Sequence, residues 1–135
     1  LRAVLDPNVI ISGLLSPSGN AAALLRAWEQ GEFELVASIA LLAELERAFA
    51  YPKLRRRIPE SDGDAVLQWL TESGTIAPDP SSPPPTRSAD PGDDYLIALA
   101  ASQNAILVSG DKDLLSLAPE IPVLSPAQFR DQLGH

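Results

Sequence analysis

Apolar and polar positions run in short blocks along the chain, and their spacing switches repeatedly between that of a strand and that of a helix. Leu1–Leu5 is a short, mostly apolar run, so Arg2–Asp6 reads as a buried strand. Asn8–Leu15 reads as a short helix and Pro17–Asn20 as a loop. Ala21–Gln30 follows as a helix capped by Asn20 and stopped by Gly31. Phe33–Ala37 is a second strand. Ser38 suits the N-cap of a helix over Ile39–Ala50, in which Leu41, Leu42, Leu45 and Phe49 share a face. Pro52 ends that helix or opens another short one.

Ser61 is the expected cap of a helix over Asp62–Ser73, with Ala65, Val66 and Trp69 or Leu70 facing inward and Asp62 and Asp64 in the first turn. Thr75–Ala77 is a short strand. Pro78–Pro91 contains six prolines, counting both ends, and reads as an extended loop within one domain, because neither flank alone carries enough core. A helix starting at Gly92 or Asp93 runs to Ser102 or Gln103. Ala105–Ser109 is then a strand, Lys112–Leu117 a short helix and Pro122–Leu124 a strand. Pro126–Leu133 closes the chain as a helix with Ser125 as its cap. Strands alternating with helices predict a single α/β domain over 1–135 with three layers, α/β/α, around a mainly parallel sheet of four to five strands. In such sheets ligands bind outside the carboxyl ends of the strands, and Asp6 and Asp111 both stand there.

Composition narrows the chemistry. The length of 135 residues suits one core, and 45% hydrophobic residues is ordinary for a globular domain. There is no cysteine, which excludes disulfides and Cys-based zinc sites and makes an intracellular, cytoplasmic location the simpler expectation. No window approaches the roughly 18–20 apolar residues of a membrane helix, and no signal peptide is visible. The formal net charge of −8 argues against nonspecific nucleic-acid binding through a basic surface. Positive charge is concentrated at Lys53, Arg55, Arg56 and Arg57, either a solvated helix end or a local phosphate-binding patch. Trp28 and Trp69 sit at helical spacing from apolar neighbours and suit packing better than base stacking. Tyr51 and Tyr95 lie near the acidic segments but receive no role.

Four acidic residues sit at the end or in the middle of apolar segments: Asp6, Glu44, Asp94 and Asp111. Carboxylates so placed are costly to bury without a partner, and a divalent cation is the natural partner for several together. Mg²⁺ or Mn²⁺ held by carboxylates can activate water and offset charge on a phosphodiester. The lone histidine is the terminal His135, and there is no cysteine or Gly-rich phosphate loop. Cys–His and P-loop chemistry are therefore disfavoured.

Val4-Leu-Asp-Pro-Asn-Val9 with Ile11-Ser-Gly-Leu-Leu15, Val36-Ala-Ser-Ile-Ala-Leu-Leu-Ala-Glu-Leu45, Asp90-Pro-Gly-Asp-Asp-Tyr-Leu-Ile-Ala-Leu-Ala100 and Leu107-Val-Ser-Gly-Asp-Lys-Asp-Leu-Leu115 together resemble the motifs of the PIN domain. This is a family of metal-dependent ribonucleases that includes the toxins of VapBC-type toxin–antitoxin pairs. The order and approximate spacing of all four agree across nearly the whole chain. Val123-Leu-Ser-Pro-Ala-Gln-Phe129 is also similar to the tail of one toxin subgroup. The resemblance implies that Asp6, Glu44, Asp94 and Asp111 form a catalytic, metal-binding acidic centre, lined by Asn8 and Ser109. Asp93 and Asp113 are neighbours able to substitute or assist. It also implies an RNA substrate, an antitoxin partner and a homodimer, with the helix face bearing Trp69 as a candidate for the dimer contact. Pro7 departs from the family's usual Thr and removes a hydroxyl and a backbone N–H, with reduced metal affinity as the expected cost if that group holds the site.

Each acid has an ordinary alternative. Asp6 and Asp111 could cap the helices that follow them, Glu44 could be a surface residue, and Asp93 and Asp94 could favour a helix N-terminus. Ser109 could be a plain strand-end serine. Two other functions fit parts of the pattern. One is a phosphatase of haloacid dehalogenase type, with Asp6 as nucleophile and Gly110–Asp113 as metal motif, although Asn8 stands where its acid–base Asp belongs. The other is a catalytically silent PIN-like binding module.

Overall fold

The apolar opening run becomes the middle of a sheet. In the computed structural model, which describes residues 1–135, the strands are β1 (Arg2–Leu5), β2 (Glu34–Ala37), β3 (Thr75–Ile76), β4 (Ile106–Val108) and β5 (Val123–Leu124). All neighbouring pairs are parallel, in the order β3-β2-β1-β4-β5. Ala3 of β1 is in register with Leu35 on one side and Ile106 on the other. Ala3, Val4 and Leu5 are all fully buried, as expected of a central parallel strand covered on both faces.

The helices are α1 (Pro7–Leu15), α2 (Asn20–Glu29), α3 (Ile39–Ala50), α4 (Pro52–Arg55), α5 (Glu60–Ser73), α6 (Asp94–Ser102), α7 (Lys112–Leu115) and α8 (Pro126–Gln132), with one 3₁₀ turn at Pro91–Asp93. They flank the sheet in a three-layer α/β/α arrangement. None is long and apolar enough to cross a membrane. Ser38 caps α3 through Leu41 N–H, and Ser125 with Gln128 forms a reciprocal capping box on α8. Pro7 occupies the first position of α1, where a backbone N–H would have no helical partner, so the missing donor costs the helix nothing.

Two caps differ from expectation. Asn20 is the first residue of α2 behind Gly19, whose position carries no side-chain cap. Helix α5 begins at Glu60, before Ser61, because the Pro59 carbonyl accepts the Asp62 and Gly63 N–H groups. That phase leaves Ala65 exposed and buries Leu70 fully, with Val66 and Trp69 half-buried. Trp69 stacks at a tilt on buried Trp28, ring centroids 4.3 Å apart, so both indoles serve packing within the chain.

Helix α1 approaches α2 closely because Gly13 has no side chain. A Cβ there would lie 2.6 Å from Leu25 Cδ1 and 3.2 Å from the Ala21 carbonyl. This contact matters to function because α1 starts at Asp6. The proline-rich segment between β3 and the 3₁₀ turn is tied at both ends. Asp79 accepts the Ala40 N–H in the first turn of α3 at 3.0 Å, and Arg87 and Ser88 bind Asp94 at the start of α6.

Candidate acidic active site

The strand order reverses direction between β1 and β4, and a crevice opens at the carboxyl ends of that pair. Asp6 leaves β1 there. Its backbone N–H extends the sheet by donating to Val108 O at 2.9 Å. Its Oδ1 accepts the Asn8 N–H at 3.0 Å and caps α1, while Oδ2 accepts the Ser109 hydroxyl at 2.8 Å. Ser109 is wholly buried, and its Oγ also accepts the Asp111 N–H at 3.0 Å. One serine thus links the two strand-end carboxylates. Asp6 is only 5% exposed, and burial pushes its carboxyl pKa up, with the Asp111 charge adding to the shift; the bonds from Asn8 and Ser109 oppose it.

Asp111 caps α7 through its own Oδ1, which accepts the Asp113 N–H at 2.9 Å. Capping and membership of the centre are therefore compatible for both Asp6 and Asp111. Asp113 itself is exposed on the first turn of α7. Beside Asp6 and Asp111 lies a cavity of 420 Å³, also lined by Asn8, Ser12, Gly110 and Pro126.

The pair Asp93–Asp94 is split by helical phase. Successive residues at a helix start point about 100° apart, so both carboxylates cannot face one place. Asp94 turns to the preceding loop: Oδ1 accepts the Ser88 N–H at 2.8 Å and Oδ2 pairs with Arg87 at 3.2 Å. Asp93 feels the other acids. Its pKa is raised to about 6 by burial and by the charges of Asp6, Asp90, Asp111 and Glu44. Asp93, the neighbour expected to substitute or assist, is thus the one that feels the charges of the strand-end pair, while Asp94 is held by the loop.

Glu44 comes from the second turn of α3 and is half-buried, with Glu46 exposed. Its Oε2 accepts the Tyr95 hydroxyl at 2.6 Å. Burial, the bond to Glu44 and the charges of Asp6 and Asp93 all push the Tyr95 pKa upward, so the phenol stays a donor. Sequence motifs assign Tyr95 no role; the available signal was that a partly buried tyrosine hydroxyl needs a partner.

The basic run lies elsewhere. Lys53 and Arg55 belong to α4, which packs on α3 beyond its C-terminal end, and Arg55 pairs with Glu60. Arg56 and Arg57 follow, exposed. Helix α3 starts at the carboxyl end of β2 and is 12 residues long, a length of about 18 Å. It therefore carries this run away from the crevice.

The acids offer only carboxylate oxygens, a donor set that fits Mg²⁺ or Mn²⁺ and not a soft metal. No three of them stand in a ready-made ligand cage, and oxygens of Asp6, Asp111 and Glu44 each accept a hydrogen bond. The repulsion that adds to burial in raising Asp93 is nevertheless what a bound cation would relieve.

Fold and site together define an α/β domain with an acidic centre at the switch point of a parallel sheet. The family model of the PIN domain matches residues 2–113. The chain belongs to the PIN domain family. The uncharacterized protein MJ1680 of Methanocaldococcus jannaschii is 30% identical over 123 residues, covering 89% of this chain and 77% of that protein. The fold is also similar to that of solved structures. VapBC2 of Rickettsia felis bound to a DNA fragment from its promoter superposes with a TM-score of 0.65 at 12% identity, over 93% of this chain and 98% of that one. FitAcB of Neisseria gonorrhoeae superposes with a TM-score of 0.60 at 20% identity, over 93% and 98%. Membership of the PIN family sets aside the haloacid dehalogenase alternative.

Proposed function

We propose that this protein is a divalent-metal-dependent endoribonuclease and the toxin of a toxin–antitoxin pair. The observation that carries the proposal is the convergence of carboxylates far apart in the chain: the charges of Asp6, Asp111 and Glu44 add to burial in pushing the Asp93 pKa up to about 6. In this proposal Asp6, Asp93 and Asp111 bind the ion or ions, with Glu44 beside them, and Asp94 holds the loop that precedes α6. Bound Mg²⁺ or Mn²⁺ supplies an activated water and offsets phosphate charge. The chain's own part is positional. Ser109 fixes the Asp6 carboxylate and the turn that carries Asp111. The adjoining cavity, with Asn8 and Ser12 on its wall, takes the RNA segment next to the scissile phosphate. With a net charge of −8, an anionic substrate depends on cations to approach this centre.

An antitoxin partner is supported by the likeness to VapBC2, whose structure includes promoter DNA, and to FitAB bound to a DNA fragment. A homodimer is proposed with it. The test is cleavage of a mixed RNA pool with and without Mn²⁺, by the wild-type protein and by Asp6→Asn. Cleavage only by the wild type with Mn²⁺ is expected. A folded wild-type protein that leaves RNA intact in Mn²⁺ would overturn the enzyme assignment.

A further inference from the structure

Tyr95 links two parts of the acidic centre. It is half-buried in the first turn of α6, two residues from Asp93, and its side chain crosses to α3 to donate to Glu44 Oε2 at 2.6 Å. These partners are 51 residues apart in the chain, and the bond joins two helices that belong to different segments of the domain. Glu44 has a long side chain with several rotatable bonds. Ordering such a side chain costs rotamer entropy. A carboxylate clamped by a rigid phenol has met that cost before any ligand arrives.

We propose that Tyr95 is a positioning residue: its hydroxyl fixes the Glu44 carboxylate toward the metal-binding acids and leaves Oε1 as the acceptor for an incoming ion or its waters. The proposal rests on the metal-dependent reading of the site and extends it to a residue that touches neither metal nor substrate. The phenol does for Glu44 what Ser109 does for Asp6, so each of these two acids is held by one hydroxyl. Outer hydrogen bonds of this kind typically change metal affinity about 10–100-fold when removed.

Tyr95→Phe keeps the ring and deletes only the donor. Mn²⁺ binding by calorimetry is expected to weaken about tenfold in Tyr95→Phe, with the circular dichroism spectrum unchanged. Thermal unfolding in EDTA, free of metal, supplies a second readout. The losses in melting temperature of Tyr95→Phe and Glu44→Ala should be less than additive in the double variant, because both remove the same bond. Tyr95→Phe paired with Asp113→Ala should be additive. Unchanged Mn²⁺ affinity in Tyr95→Phe, or strict additivity with Glu44→Ala, would overturn the role given to Tyr95. A wild-type protein that binds no Mn²⁺ would overturn the metal reading of the site, and the proposal that rests on it, whatever the thermal cycle shows.

Discussion

The carboxylates of Asp93 and Asp94 leave adjacent positions of the chain into opposite surroundings. Asp94 accepts the Ser88 N–H at 2.8 Å and pairs with Arg87, so it is compensated by the loop before it. Asp93 is pushed up to a pKa of about 6 by burial and by the negative charges of Asp6, Asp90, Asp111 and Glu44. A substitution at each position should therefore report on a different property. Asp93→Asn is expected to lower Mn²⁺-dependent RNA cleavage on the order of 100-fold, as loss of a charge-stabilising group in a catalytic centre does. Asp94→Asn keeps an acceptor for the Ser88 N–H, gives up the pairing with Arg87, and should reduce cleavage far less. Initial rates for the two variants, side by side, check this.

The raised pKa of Asp93 makes stability depend on pH in a defined direction. An acid whose pKa rises from 3.8 to about 6 on folding binds its proton more tightly in the folded state. Its destabilising effect is absent below pH of about 4 and fully developed above about 6. In EDTA, the melting temperature of the wild type should fall as pH rises across that window. Asp93→Asn should flatten the fall and melt higher than the wild type at pH 7. Added Mn²⁺ should raise the wild-type melting temperature at pH 7, because it binds only the folded state.

Ser109 is fully buried and serves two partners, donating to Asp6 and accepting from Asp111 N–H. Ser109→Ala leaves the Asp6 oxygen and the Asp111 N–H short of a partner, at a cost of about 1–3 kcal/mol. Chemical denaturation measures that loss directly. Cleavage should drop as well, since the turn bearing Asp111 loses its tie to Asp6.

Gly13 tests the packing that positions α1. Gly13→Val places atoms against Leu25 and the Ala21 backbone, where even a Cβ would sit at 2.6 and 3.2 Å. Overpacking of this kind destabilises by about 1–3 kcal/mol. Because α1 begins at Asp6, the variant should also lose activity at temperatures where it remains folded, which a rate measured well below its melting point would show.

The elements of this fold are written locally, and so most were legible. Ser38 before an apolar helical face and Ser125 before Pro126 mark their helices through caps that need only neighbouring residues. The alternation of short apolar runs with helices fixed the parallel sheet, and the placement of Asp6 and Asp111 at its carboxyl edge followed. Two features were not legible. The choice between Asp93 and Asp94 turns on the phase of one helix start, which the 3₁₀ turn at Pro91–Asp93 sets. A shift of one residue exchanges the two carboxylates. The bond between Tyr95 and Glu44 depends on how α6 lies against α3, and no local pattern records that distance. The start of α5 failed for a related reason, since Pro59 offers a carbonyl to the helix where Ser61 offered only a familiar cap residue.

Anomalous diffraction from crystals soaked in Mn²⁺ tests the acidic centre most directly. A peak bounded by carboxylate oxygens of Asp6, Asp93 and Asp111, with Asp94 still on Ser88 and Arg87, is the expected result. Mn²⁺ bound at Asp94 instead, or no ion at the crevice between β1 and β4 in protein that cleaves RNA, would contradict it.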